Sequence, residues 1–127
     1  RMKYLLSWIY FGRAVVIFIF ISIPVSPVSV LVFAAAIGLL WLATVPLTSG
    51  IVAHVFGTRY MATLYGIVFM GHQIGSFIGV WLGGNLYDNT GSYEIAWWVA
   101  IIFGLIAALV HLPIKDAPLE RMADQPA

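Results

Sequence analysis

"VSVLVFAAAIGLLWLATVPLTSGIVA", residues 28–53, contains no charged side chain and only a few hydroxyls. Crossing the hydrocarbon core of a bilayer takes about 20 mainly apolar residues of helix, and this stretch exceeds that. Lipid, not water, is the solvent in which the chain has to be read. Composition agrees: of 127 residues, 62% are hydrophobic and 9% charged, with a mean hydropathy of +1.01. Soluble domains lie near half apolar and about a quarter charged.

Three more stretches of the same kind flank this one. "YLLSWIYFGRAVVIFIFISI", about residues 4–23, stops at "PVSPVS", where Pro24 and Pro27 break a helix. Another covers about residues 61–86, and the last, about 93–112, stops at Pro113. Lipid offers the backbone no hydrogen-bond partner, so spans of this kind are helices. The fold class is therefore all-α: a polytopic bundle of four spans over residues 1–113, with a polar tail, 114–127, that reads as a frayed cytoplasmic end. Arg1 and Lys3 ahead of the first span suggest a secretory signal, but the apolar run is too long and no small-residue cleavage site follows.

Positive charge sets the orientation. Arg1, Lys3, Arg59, Lys115 and Arg121 fall on one side, whereas "PVSPVS" and "YDNTGSYE" on the other have no Lys or Arg. The positive-inside rule puts both ends in the cytoplasm. The expected setting is the inner (plasma) membrane, crossed several times. Tyr87, Tyr93, Trp97 and Trp98 toward the outer boundary, and Tyr4, Trp8, Tyr60 and Tyr65 toward the inner one, read as interfacial anchors.

Several function classes drop out. A net charge of +1 is too mild to argue for nucleic acid. Without cysteine there is neither a disulfide framework nor a thiolate metal site, and His54, His72 and His111 are too far apart for a local metal motif. No P-loop, nucleophile elbow or zinc-protease helix occurs. The chain is expected to be no enzyme, with no cofactor and no metal.

In the third span, "GHQIGSFIGVWLGG" (71–84) places Gly71, Gly75, Gly79 and Gly83 four apart, the small-xxx-small device that lets membrane helices approach closely. At about 100° per residue, Ile67, Met70, Ile74, Phe77, Ile78 and Trp81 form one bulky face. Tyr65, Phe69, His72, Ser76, Gly79 and Gly83 form the opposite, small or polar one. His72 lies roughly 15 Å from the inner end of the span. It serves either as a proton or substrate site, hydrogen-bonded to Ser76 or a neighbouring span, or as neutral polar glue between helices. Gln73 lies between the two faces and suits a bond to an adjacent helix.

Arg13, about ten residues into the first span, either snorkels or pairs with another helix, or holds an anionic substrate group. In "WLATVPLTSG" (41–50), Pro46 frees a carbonyl near Leu42, and Thr44, Thr48 and Ser49 offer hydroxyls. Such segments supply hinges and binding groups in transporters and also occur as plain kinks. Arg59, in the inner loop, has a topological or a gating role.

The Pro46 span, the loop "FGTRYMATLYG" (56–66), "GHQIGSFIGVWLGG" and the turn "LYDNTGSY" (86–93) together resemble the last part of a major facilitator superfamily permease. The nearest likeness is to bacterial members related to monocarboxylate and organic-anion carriers, and "RMKYLLSWIYFGRA" is similar to the entry into their ninth helix. The resemblance implies helices nine to twelve of twelve, both ends cytoplasmic, and a cavity bordered by the tenth and eleventh helices. Thr44, Pro46 and Thr48, with His72 and Ser76, would border it, while the ninth and twelfth support the bundle from outside, which weakens Arg13 as a ligand. It also implies a piece of a longer protein whose remaining helices are its partners, beside the lipid bilayer and a small solute.

The leading expectation is part of a secondary active transporter for a small solute, an organic anion by resemblance, moving by alternating access and coupled to protons. Two alternatives stand beside it. One is a four-span transporter acting as a dimer, a type that carries an acid within a span, which is lacking here. The other is a membrane scaffold without transport activity, whose glycine row binds another membrane protein.

Overall fold

The computed structural model describes residues 2–119 and is helical throughout its four elements. These are α1 (Met2–Ser22), α2 (Pro27–Phe56), α3 (Met61–Thr90) and α4 (Glu94–His111). All four are long and apolar enough to cross a membrane. Arg1 and Arg121, two of the charges used for orientation, lie outside the described residues.

Local chemistry sets the helix ends. The Ser26 hydroxyl accepts from the Ser29 N–H at 3.1 Å, and the Ser29 hydroxyl accepts from the Ser26 N–H at 2.8 Å, a reciprocal capping box. Pro27 follows as the first helical residue, where its missing N–H costs nothing. It thus opens α2 and does not close α1. In the connection between α3 and α4, "YDNT" forms the last turn of α3 and is not a loop. Asn89 donates to the Asn85 carbonyl at 2.8 Å and Thr90 to the Leu86 carbonyl at 2.6 Å, which carries the helix past residue 86. Gly91 ends it in the left-handed region, at φ 70, where a residue with a Cβ is penalised.

Pro46 does not interrupt α2, which runs as one helix through it. Proline removes only the bond to the carbonyl four residues back. On either side the hydroxyls fasten to the backbone: Thr44 to the Leu40 carbonyl, Thr48 to the Thr44 carbonyl and Ser49 to that of Pro46.

The tightest packing joins α1 to α4, with α2 against the other side of α1. Small residues make it possible. Leu6 and Ala14 of α1 and Ile101 and Ala108 of α4 are buried, and the Ser7 hydroxyl donates across the seam to the Ala108 carbonyl at 2.7 Å. A Cβ added to Gly104 would stand 3.4 Å from the Ala14 Cβ and 3.5 Å from the Tyr10 carbonyl oxygen, so the seam has room for a methyl group there but for little more. At the far end, Phe20 of α1 stacks on Phe33 of α2 at 4.1 Å, and Trp97 of α4 meets both edge-on. After α4 the chain turns back, and the Leu119 N–H donates to the Val55 carbonyl at the end of α2.

α3 stands apart. It has no buried residue and touches α2 and α4 only lightly. A Cβ on Gly71, Gly75, Gly79 or Gly83 would meet nothing within 4 Å. The glycine row, expected to seat a neighbouring helix, therefore faces open space among the described residues, because the close backbone approach is made between α1 and α4. Large apolar side chains cover the outside of the bundle, Val80 being 79% exposed and Phe77 75%. In water that surface would be untenable; in lipid it is the ordinary exterior.

Candidate functional site

A cavity of about 200 Å³ opens among all four helices. Tyr10 and Arg13 reach it from α1, three residues apart and so on one face. Trp41, Thr44, Val45 and Thr48 reach it from α2, again at helical spacing, and Tyr65, Val68, Phe69 and His72 from α3. His111 closes the α4 side. No Asp or Glu lies among these residues.

Arg13 organises the polar wall. It points sideways toward α2 instead of running up to the membrane surface. Its Nη2 donates to the Leu40 carbonyl at 3.0 Å and to the Thr44 hydroxyl, which itself donates to the Leu40 carbonyl at 3.0 Å. Trp41 and Tyr10 supply ring faces, with their centroids 4.8 Å and 5.2 Å from the guanidinium carbon. Such contacts strengthen as water is removed, by up to about 2 kcal/mol each. The Nε–H is buried and has no partner among the described residues. A guanidinium fixed on one edge by neutral groups keeps its charge available to a solute.

His72 faces this wall from α3. Its ring lies 5.9 Å from that of Trp41 and 6.0 Å from that of Phe69. No hydrogen bond joins it to Ser76 among the described residues, and Ser76, one turn further on, is exposed outside the cavity. Gln73 is likewise exposed. Arg59 is exposed in the loop between α2 and α3, with its guanidinium carbon 5.4 Å from the Tyr60 ring centroid, and does not line the cavity.

Arg13, Thr44, Thr48 and His72, picked out separately from the sequence, thus come together. Pro46, Ser76 and the glycine row do not join them. Tyr10, Trp41, Tyr65 and His111 are additional lining residues. The stripes Tyr10/Arg13, Trp41/Thr44/Thr48 and Tyr65/Phe69/His72, each at three- or four-residue steps, are the signal that points to them.

Four helices long and apolar enough to cross a membrane, around a small cavity with one fixed cation and aromatic walls, define a multi-pass membrane protein. A profile of the Major Facilitator Superfamily matches residues 1–127. Over 85 residues the chain is 32% identical to a protein of Bacillus subtilis (strain 168) described as an uncharacterized MFS-type transporter, YcxA. That alignment takes in 66% of this chain and 21% of the relative, so the chain spans about a fifth of the relative's length. No solved structure matches. The chain belongs to the Major Facilitator Superfamily, a family of transporters and not of enzymes.

Proposed function

We propose that the chain is part of a secondary active transporter for a small solute with an anionic group, working by alternating access. Arg13 is its anion-binding residue, and the Thr44 hydroxyl, which accepts from Nη2, holds the guanidinium in place. The observation that carries this reading is the guanidinium held by Thr44 and the Leu40 carbonyl at the wall of a cavity that no carboxylate lines. An anion there gains a charge-assisted bond without displacing an internal counter-ion.

The same reading takes the four helices as the ninth to twelfth of a twelve-helix permease akin to organic-anion carriers. They sit in the inner membrane with both ends cytoplasmic. Remaining helices of the parent protein would then cover α3, and its open glycine row supports such close neighbours. That row also favours the second reading, a scaffold that binds another membrane protein without transport.

Benzoate binding separates the two. Calorimetric titration of the chain in lipid nanodiscs should detect binding that weakens at least tenfold in Arg13→Gln, in line with about 1.5–3 kcal/mol for a hydrogen bond to a charged group. Equal binding by wild type and Arg13→Gln, or none by either, would sink the anion site. Uptake by the intact parent should fall in parallel, whereas a scaffold has no uptake to lose.

A further inference from the structure

Rings dominate the wall around Arg13. Of the eleven described residues that border the cavity, six carry an aromatic or imidazole ring and only Val45 and Val68 are aliphatic, so what a solute meets beside the guanidinium is mainly ring surface.

The rings fall into two groups. Tyr10 of α1 and Trp41 of α2 lie against the guanidinium itself, their centroids 5.2 Å and 4.8 Å from its carbon, and Tyr10 also stacks on His111 at 4.9 Å. Those rings are already engaged. Tyr65, Phe69 and His72 instead follow one another along α3 at steps of four and three residues, on one face of the helix, with successive centroids 6.4 Å and 6.0 Å apart. Phe69 is 49% exposed, and among the described residues its ring meets only the two beside it on α3. Trp41 connects the groups, its ring lying 5.9 Å from that of His72 at an angle of 64°. A continuous ring surface therefore runs from the guanidinium onto α3.

Arg13 decides how a solute lies on that surface. Nη2 is spent on the Leu40 carbonyl and the Thr44 hydroxyl, Nε is buried, and two rings lie against the guanidinium. Nη1 is the corner left for an anion. A carboxylate on that corner leaves the rest of its molecule to the α3 wall, where the rings are least engaged.

We infer that the anionic solute is an aromatic carboxylate, with its carboxylate on Arg13 Nη1 and its ring against Tyr65 and Phe69. This rests on the anion-site reading above and adds to it the class of anion. Aromatic rings attract one another when offset or edge to face with centroids about 4.5–7 Å apart, beyond what their apolar area alone contributes. A saturated ring of similar size buries comparable apolar surface but lacks the negative face and positive edge, so only the aromatic acid draws on the geometry of the wall. α3 has no buried residue and touches α2 and α4 only lightly, so its ring-bearing face can follow the thickness of a solute without disturbing the seam between α1 and α4.

Calorimetric titration of the 127-residue chain in lipid nanodiscs, with benzoate and with cyclohexanecarboxylate, tests the proposal. Both acids are ionised at neutral pH and similar in size, and the saturated one is the more apolar, so apolar burial alone would favour it. Benzoate should nevertheless bind about two- to tenfold more tightly. Phe69→Leu and Tyr65→Leu keep apolar bulk but remove a ring, and each should lower that ratio while leaving the affinity for cyclohexanecarboxylate nearly unchanged. Phe77→Leu, on the same helix but outside the cavity and 75% exposed in the wild type, should keep the ratio. Arg13→Gln should weaken both acids alike. Equal binding of the two acids by wild type, tighter binding of cyclohexanecarboxylate, or a ratio unmoved by both Phe69→Leu and Tyr65→Leu overturns the aromatic assignment and leaves the anion site standing. Absence of binding of both acids in wild type overturns the anion site and this proposal with it.

Discussion

Arg13 commits Nη2 to α2 through two acceptors and lays its plane against two rings, which a lysine ammonium does not reproduce. Arg13→Lys should therefore keep the charge yet lose most of the benzoate affinity, and calorimetric titration of the two proteins measures the difference. Thr44→Val preserves shape and removes the acceptor. With the guanidinium left half-satisfied, thermal unfolding in detergent should report a loss of about 1–3 kcal/mol. At this scale the sequence was partly legible. A charged or hydroxyl side chain deep in a lipid-soluble helix stands out by its cost, which is how Arg13, Thr44 and His72 are found. Tyr10 and Trp41 do not stand out, because aromatic residues are commonplace in membrane helices and their placement over a guanidinium depends on how α1 and α2 cross. His111 sits in sequence two residues before the terminating Pro113, with nothing to mark it, and its stack on Tyr10 brings it to the cavity.

Glycines separate into two kinds once the helices are placed. Gly104 sits in the α1–α4 seam, so Gly104→Leu should overpack it and cost about 1–3 kcal/mol, read as a lowered unfolding temperature in detergent. Gly79→Leu, at an open position of α3, should leave the unfolding temperature of the chain unchanged or raise it, since leucine is the better helix former. Equal losses in the two variants would mean that the α3 row is packed after all. The four-residue glycine period advertises close packing but does not say against what. The seam in use shows that spacing only once, as Gly104 and Ala108 on α4, which meet Ser7 and Ala14, seven apart, on α1. Element bounds were easier, because hydropathy falls sharply at Pro24 and Pro113. The miss at residues 87–90 arises because Asn and Thr, which usually signal a loop, here bond back to their own helix.

Taken whole, α1, α2 and α4 form a three-helix unit, closed at one end by Phe20, Phe33 and Trp97 and at the other by Ser7 and Ala108, while α3 lies loosely beside it. Because the chain has no cysteine, its topology can be mapped without first removing any. Single cysteines at Val25 and Ser92, both exposed, should react with an impermeant maleimide added outside intact cells. Those at Arg59 and Lys115, also exposed, should react only after the membrane is opened. Reaction of all four from one side would refute the assigned orientation. The hydrogen bond between Ser7 and Ala108 joins residues 101 apart, and this fixes an order of events during synthesis. α1 leaves the ribosome first, yet the helix that fits it most closely leaves last. Until α4 is inserted, α1 has only α2 of these four helices packed against it, Arg13 already has Leu40 and Thr44, and the pocket lacks His111. Assembly of these four helices is thus timed by α4, and a chain halted after Thr90 would hold the guanidinium in place without the His111 side of its cavity.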